Sequence, residues 1–136
     1  MEKKRILFIC VHNSARSQMA EGFVNALYAD RFQAVSGGIE PTIVHPAAIK
    51  VMAEIGIDIS SQRSKSIDEF MEQPFDYVVM VCDDSQTGCP FFPGGKEYLP
   101  HAFADPAACR GTDEEVLACF RTTRDEIRAW LEETFS

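Results

Sequence analysis

The chain has 136 residues, 46% of them apolar and 25% charged, with a net charge of −8 and a pI near 4.8. That length fits one domain with its own core, and the acidic balance argues against nucleic acid or an anionic membrane as partner. Five cysteines, an odd number, and three scattered histidines with no C-x-x-C pair predict reactive or buried thiols rather than a disulfide framework or a zinc site.

Met1-Glu2-Lys3-Lys4-Arg5 is basic, but the apolar run after it stops at Cys10, with His12 and Asn13 following. No small-residue cleavage site and no membrane-length apolar run are present, so a cytoplasmic protein without a signal peptide is expected. Arg5 to Cys10 reads as a buried strand. From Ser17 the pattern is helical: Met19, Phe23 and Leu27 form one row, Ala20, Val24 and Tyr28 the next, and Glu21, Asn25 and Asp30 face elsewhere. Phe32 to Val35 is a second strand, ended by Gly37-Gly38. Pro46 suits the first turn of a helix through Ile49, Val51, Met52 and Ile55, and Gly56 suits its end.

Ser66-x-x-Glu69 resembles a capping box before a short helix. Tyr77 to Val81 is the strongest strand, and Cys82 to Gly95 reads as a long polar loop, of the kind that more often carries function. Glu97 to Phe103 is a weaker strand. Thr112-x-x-Glu115 starts a long helix that buries Val116, Leu117, Phe120, Ile127, Trp130 and Leu131. The order predicts an α/β fold over residues 1–136, one domain with a small parallel sheet and helices on both faces. Ligands in such folds sit at the carboxyl ends of strands. Cys10, Cys82 and Asp105 all fall at or just after predicted strand ends.

Cys10-Val11-His12-Asn13-Ser14-Ala15-Arg16-Ser17 carries the chemistry. A cysteine ends a strand, five residues follow, and an arginine opens a helix. Backbone N–H groups of Val11 to Arg16 can converge on one anion, and the helix N-terminus adds its positive end. Arg16 can clamp a tetrahedral oxyanion with two donors. The same field favours a Cys10 thiolate, Ser17 stands where its hydroxyl can bond the sulfur, and Asn13 can hold the loop's shape. These few local donors reconcile an acidic protein with an anionic ligand.

With a late Asp105-Pro106, this Cys-x5-Arg-Ser loop resembles the low-molecular-weight protein tyrosine phosphatases, whose sheet has four strands. Cys82-x6-Cys89-Pro90 and Asp105-Pro106-Ala107 make the chain resemble, end to end, the thioredoxin-coupled arsenate reductases built on that fold. The resemblance implies Cys10 as nucleophile, Arg16 and Ser17 as loop partners, and Asp105 as general acid, protonated when the anion binds. It implies Cys82 and Cys89 as relay thiols: a Cys10–Cys82 disulfide, then Cys82–Cys89, then reduction by thioredoxin with no resident cofactor. Phosphate and sulfate would compete with arsenate, and a monomer is expected.

The implied Cys82–Cys89 disulfide makes a geometric demand. Its Cα atoms must come within about 7 Å, whereas seven steps of extended chain span roughly 24 Å and of helix about 10 Å. The segment is therefore expected to refold and to be mobile when reduced.

Cys119 reads as a helix-packing thiol. Cys109, in a small-residue loop, reads as incidental or as an alternative relay thiol. His12, His45 and His101 read as structural. Some relatives hold a monovalent cation near positions matching Asn13, Glu21 and Ser36, where Lys65 could stand in, so no bound metal is expected. The alternatives are a tyrosine phosphatase, which usually carries aromatic residues beside its acid where this chain has Ala107-Ala108, and an anion-binding redox sensor.

Overall fold

The computed structural model describes residues 3–81 and 92–135. Cys82 and Cys89, and the expected mobility of their loop, lie outside the described residues. Strands β1 (Lys4–Cys10), β2 (Phe32–Gly38), β3 (Phe75–Met80) and β4 (Gly95–Pro100) alternate with helices α1 (Arg16–Leu27) and α2 (Pro46–Ala53), and helix α3 (Asp113–Phe135) closes the chain. Among the described residues there are also two short 3-10 turns, Ile67–Phe70 and Pro106–Ala108. All strand pairs are parallel, in the order β2-β1-β3-β4. No helix among the described residues is long and apolar enough to cross a membrane.

β1 shows why the sheet is central. Ile6, Phe8 and Cys10 point into a cluster shared with α1, α2 and α3, while Leu7 and Ile9 point into a second cluster with Ile67, Phe70, Phe75, Val78 and Phe92. Both faces are covered, as a strand apolar on both sides requires. Among the described residues the cover is unequal: three α-helices pack on one face, and one 3-10 turn with Phe92 covers the other. The fully buried Phe8, Phe23 and Phe120 each contribute on the order of 2–3 kcal/mol by burial.

Several boundaries differ from the sequence reading. β2 runs through Gly37 and Gly38, because Gly38 pairs with Cys10 at the strand ends. A Cβ built on Gly38 would lie 2.5 Å from the Val11 carbonyl oxygen and 2.7 Å from that of Cys10. The glycine lets the Cys10 loop settle onto β2. Gly38→Ala is expected to cost about 1–3 kcal/mol of stability through overpacking and to lower activity by displacing the loop. Denaturant melts alongside kcat/KM check this; an active, equally stable variant would show that the loop yields at no cost.

β4 ends at Pro100, three residues before the expected Phe103, although His101 N–H still donates to the Met80 carbonyl at 3.0 Å and Phe103 N–H to that of Val81 at 3.4 Å. The chain then leaves the sheet with Phe103 buried. α2 ends at Ala53, two residues early, and Gly56 makes the turn that follows with φ +83°. At Thr112 the capping box forms as read: Glu115 N–H donates to Thr112 Oγ1 and Thr112 N–H to Glu115 Oε1, both 3.2 Å. At Ser66 it does not form. Ser66 Oγ accepts from Asp68 N–H instead, and Glu69 pairs with Arg63.

The cysteine reading needs correction. Cys109 and Cys119 are joined by a disulfide, so Cys119 is not a free packing thiol and Cys109 is not free to act in a relay. The turn Pro106–Ala108 brings Cys109 to 6.6 Å (Cα–Cα) from Cys119 on α3, a separation a disulfide can bridge. Cys10 remains a buried free thiol.

Candidate active site

Cys10 ends β1 and Arg16 opens α1, so the loop between them crosses the carboxyl edge of the sheet. Asn13 is its keystone. It is fully buried with φ 49°, a left-handed conformation that asparagine tolerates better than most residues. Its N–H donates to Cys10 Sγ at 3.2 Å, and its Nδ2 donates to Ser17 Oγ at 2.8 Å. Its Oδ1 accepts from Gln18 Nε2 at 2.8 Å and from Lys65 N–H at 2.9 Å. Ser17 Oγ in turn lies 2.9 Å from Cys10 Sγ. One side chain thus fixes the loop, the hydroxyl and the sulfur together.

Arg16 is 3% exposed, and its Nη1 donates to the carbonyls of Phe103 at 3.1 Å and Val81 at 3.4 Å. Its Nη2 stands 3.7 Å from Asp105 Oδ2. Asp105 is held by its own turn, where Oδ1 accepts from Ala107 N–H at 3.0 Å. Cys10, His12, Ser14, Ala15, Arg16 and Asp105, with Thr42 and Ala107, line a cavity of about 130 Å³. A thiol, a guanidinium and a carboxyl therefore converge on a space sized for a small tetrahedral anion.

Residues 5–135 match the family model for low molecular weight phosphotyrosine protein phosphatase. The chain belongs to that family. Within this phosphatase-fold family it aligns with arsenate reductases. One from Halalkalibacterium halodurans is 49% identical over 127 residues, 93% of this chain and 91% of its own length. A solved arsenate reductase in the phosphate binding state superposes with a TM-score of 0.81 at 36% identity, over 96% of this chain and 95% of that one. A thioredoxin-dependent arsenate reductase of Corynebacterium glutamicum gives a TM-score of 0.69 at 26% identity, over 96% of this chain and 61% of that one.

The phosphatase-family loop divides its labour. His12, Ser14, Ala15 and Arg16 line the cavity with Cys10, whereas Asn13 and Ser17 are fully buried and Val11 packs against the core. His12 is a rim residue, its Nδ1 3.2 Å from the Glu40 carbonyl oxygen. The loop is pinned from outside by Glu40 N–H on the Val11 carbonyl at 2.9 Å and by Ser64 Oγ on the His12 carbonyl at 2.9 Å. Lys65 Nζ lies 3.4 Å from Glu21 Oε1, which accepts from Ser36 Oγ at 2.6 Å. Glu21 is thus buried off the apolar rows of α1, with Lys65 beside it where the resemblance put a cation or its stand-in. Among the described residues no three His, Cys, Asp or Glu side chains gather to hold a metal ion.

Thr42, Gln18 and the bracing by His45 escaped the sequence reading. Thr42 and His45 follow β2, and position after a strand end was the available signal. His45 N–H donates to the Ser14 carbonyl at 3.0 Å, its Nδ1 accepts from Ala47 N–H at 3.0 Å, and its ring packs on Phe120 at 4.6 Å. Burial pushes the His45 pKa below its ordinary 6.5, with the Asp105 carboxylate pulling it back up. The unfolded chain then takes up this proton at a higher pH than the folded chain. The folded state loses stability as pH falls through the unfolded value near 6.5. His45→Asn, which keeps a cap, is expected to flatten that limb. Urea midpoints between pH 8 and pH 5 check it; parallel wild-type and variant curves would count against it.

Proposed function

We propose that this chain reduces arsenate to arsenite, with Cys10 as nucleophile, Asp105 as general acid, and Cys82 and Cys89 as the thiols that return Cys10 to its reduced state. The observation that carries the reading is the small cavity in which Cys10, Arg16 and Asp105 meet. Cys10 sulfur attacks arsenic, an S–As bond forms, and a proton from Asp105 lets one oxygen leave as water. The Cys82 thiolate then attacks Cys10 sulfur. The S–As electron pair stays on arsenic, which leaves as arsenite, and Cys10–Cys82 becomes a disulfide. Cys89 attacks Cys82 and frees Cys10, and an external dithiol protein, thioredoxin, reduces Cys82–Cys89.

In support, the carbonyl of Val81, the residue before Cys82 in the chain, lies 3.4 Å from Arg16 Nη1, so the chain reaches the site just ahead of that thiol. A cycle that must begin with reduced Cys10 suits a cytoplasmic, thiol-reducing setting. Electrons arrive from the external dithiol, so the cycle needs no resident cofactor or metal. Residual phosphatase activity follows from the same Cys10, Arg16 and Asp105. Ala107 stands on the cavity wall beside Asp105, where it offers an aryl ring no stacking surface, and this favours arsenate over an aryl phosphate.

The test is arsenate-dependent NADPH oxidation with thioredoxin and thioredoxin reductase, for wild type and Cys89→Ser. Turnover lost in the variant is expected. No wild-type turnover, with para-nitrophenyl phosphate still hydrolysed, would mean a phosphatase whose extra cysteines are incidental.

A further inference from the structure

The segment that carries Asp105 is a single turn with a covalent anchor. Asp105 opens it: its carbonyl accepts from Ala108 N–H at 3.1 Å and its Oδ1 from Ala107 N–H at 3.0 Å. Cys109 closes it, its N–H on the Pro106 carbonyl at 3.2 Å. From Cys109 the disulfide crosses to Cys119 on α3. The next residue, Phe120, is fully buried in the core, so that end of the bond is fixed.

An open groove of about 300 Å³ runs along the turn and α3, lined by Asp105, Pro106, Cys109, Cys119, Thr123 and Glu126 among others. Pro106 is the turn's one buried residue, and the disulfide adds a covalent limit on how far Cys109, and with it the Asp105 end of the turn, can move from α3. Both half-cystines are partly exposed, so an attacking thiolate can reach them. Disulfides in a thiol-reducing compartment are usually transient, catalytic or redox-sensing rather than structural, and the proposed reaction requires such a compartment.

We propose that Cys109–Cys119 is a second, exchangeable disulfide, separate from the relay, which a dithiol reductant opens, and that its closure positions Asp105 to donate its proton at the Cys10 site. A thiolate of the dithiol attacks one sulfur, the Cys109–Cys119 bond breaks, and the other sulfur leaves and is protonated. The second thiol of the reductant then resolves the mixed disulfide. The dithiol ends as a disulfide, two electrons poorer, and Cys109 and Cys119 end as two thiols. A disulfide oxidant of the same class runs the exchange backwards. Asp105 is the reacting acid on the reading given above, on which this proposal rests; Cys109 and Cys119 are positioning residues.

The test removes the relay thiols with Cys82→Ser and Cys89→Ser, which leaves Cys10, Cys109 and Cys119 of the five cysteines. Two esters are compared. Phenyl phosphate has a leaving group with a pKa of about 10, like tyrosine, and needs the acid; para-nitrophenyl phosphate has a far better leaving group and depends on it much less. As prepared, the protein should titrate one free thiol per chain. With excess dithiothreitol it should titrate three, and phenyl phosphate turnover should fall about tenfold, as for a misplaced catalytic group, while para-nitrophenyl phosphate turnover falls much less. Oxidised glutathione should restore it. Adding Cys109→Ser and Cys119→Ser should give the low value with no response to dithiol.

Three thiols before reduction, unchanged phenyl phosphate turnover after it, or no hydrolysis of either ester by the oxidised form would each overturn the proposal. Asp105→Asn separates the two readings. If it spares phenyl phosphate selectively, the acid assignment fails and the proposal with it. If it depresses phenyl phosphate turnover while reduction does not, only the disulfide proposal fails.

Discussion

Replacing Cys10 with serine is expected to lower kcat/KM for arsenate by at least about 10⁴-fold, with the fold retained. On the transition-state scale that is about 5.5 kcal/mol. The nucleophile forms a bond to arsenic and must later be attacked on sulfur, so a serine fails twice: its hydroxyl is a weak nucleophile at neutral pH, and an oxygen cannot enter a disulfide. The structural cost should be small. The site is 2% exposed, and the serine hydroxyl would keep polar neighbours in Ser17 Oγ, 2.9 Å from the present sulfur, and Asn13 N–H, 3.2 Å from it. We expect a stability change within about 1–2 kcal/mol, the ordinary range for a conservative substitution. Steady-state kinetics with a thermal melt of the same preparation checks both halves. Turnover above one hundredth of wild type would remove Cys10 from the nucleophile's role.

The sequence exposed the fold because its strands are apolar on both faces and its helices carry long apolar rows. Ile6 to Cys10 could pack only at the centre of a sheet, and Phe120, Ile127 and Leu131 could lie only on a buried helix face. It exposed the loop because strand, five residues, arginine and helix form a local pattern. Less legible were features set by contacts distant in the chain. Gly37-Gly38 read as a strand end because glycine usually weakens strands; the Val11 carbonyl that demands Gly38 comes from another segment. The helical pattern placed Glu21 only off the apolar rows; its grouping with Ser36 and Lys65, 15 and 44 residues away, came from the family resemblance and not from periodicity. The Cys109–Cys119 bond was hidden because no spacing rule reveals that a short turn folds back on a helix.

Arg16 tests whether the cavity works as an anion clamp or only as a structural corner. Its guanidinium bridges the Phe103 and Val81 carbonyls and stands beside Asp105, so it ties the loop to the chain segments that follow β3 and β4. A lysine keeps the charge but offers one compact ammonium in place of a planar fork. It cannot reach those carbonyls and also hold two oxygens of the anion. Arg16→Lys is expected to lower kcat/KM for arsenate by about 10²–10³-fold, the loss typical of one preorganised donor at a developing charge. Competing phosphate and sulfate should also bind more weakly. The Phe103 carbonyl left buried without its donor costs about 1–3 kcal/mol, whereas that of Val81 keeps Phe103 N–H at 3.4 Å, so the melt should shift down as well. The two effects separate by comparing inhibition constants for phosphate with melting midpoints. A variant that melts early yet binds phosphate and turns over within threefold of wild type would mean that Arg16 holds the corner together and that the anion is bound chiefly by the loop.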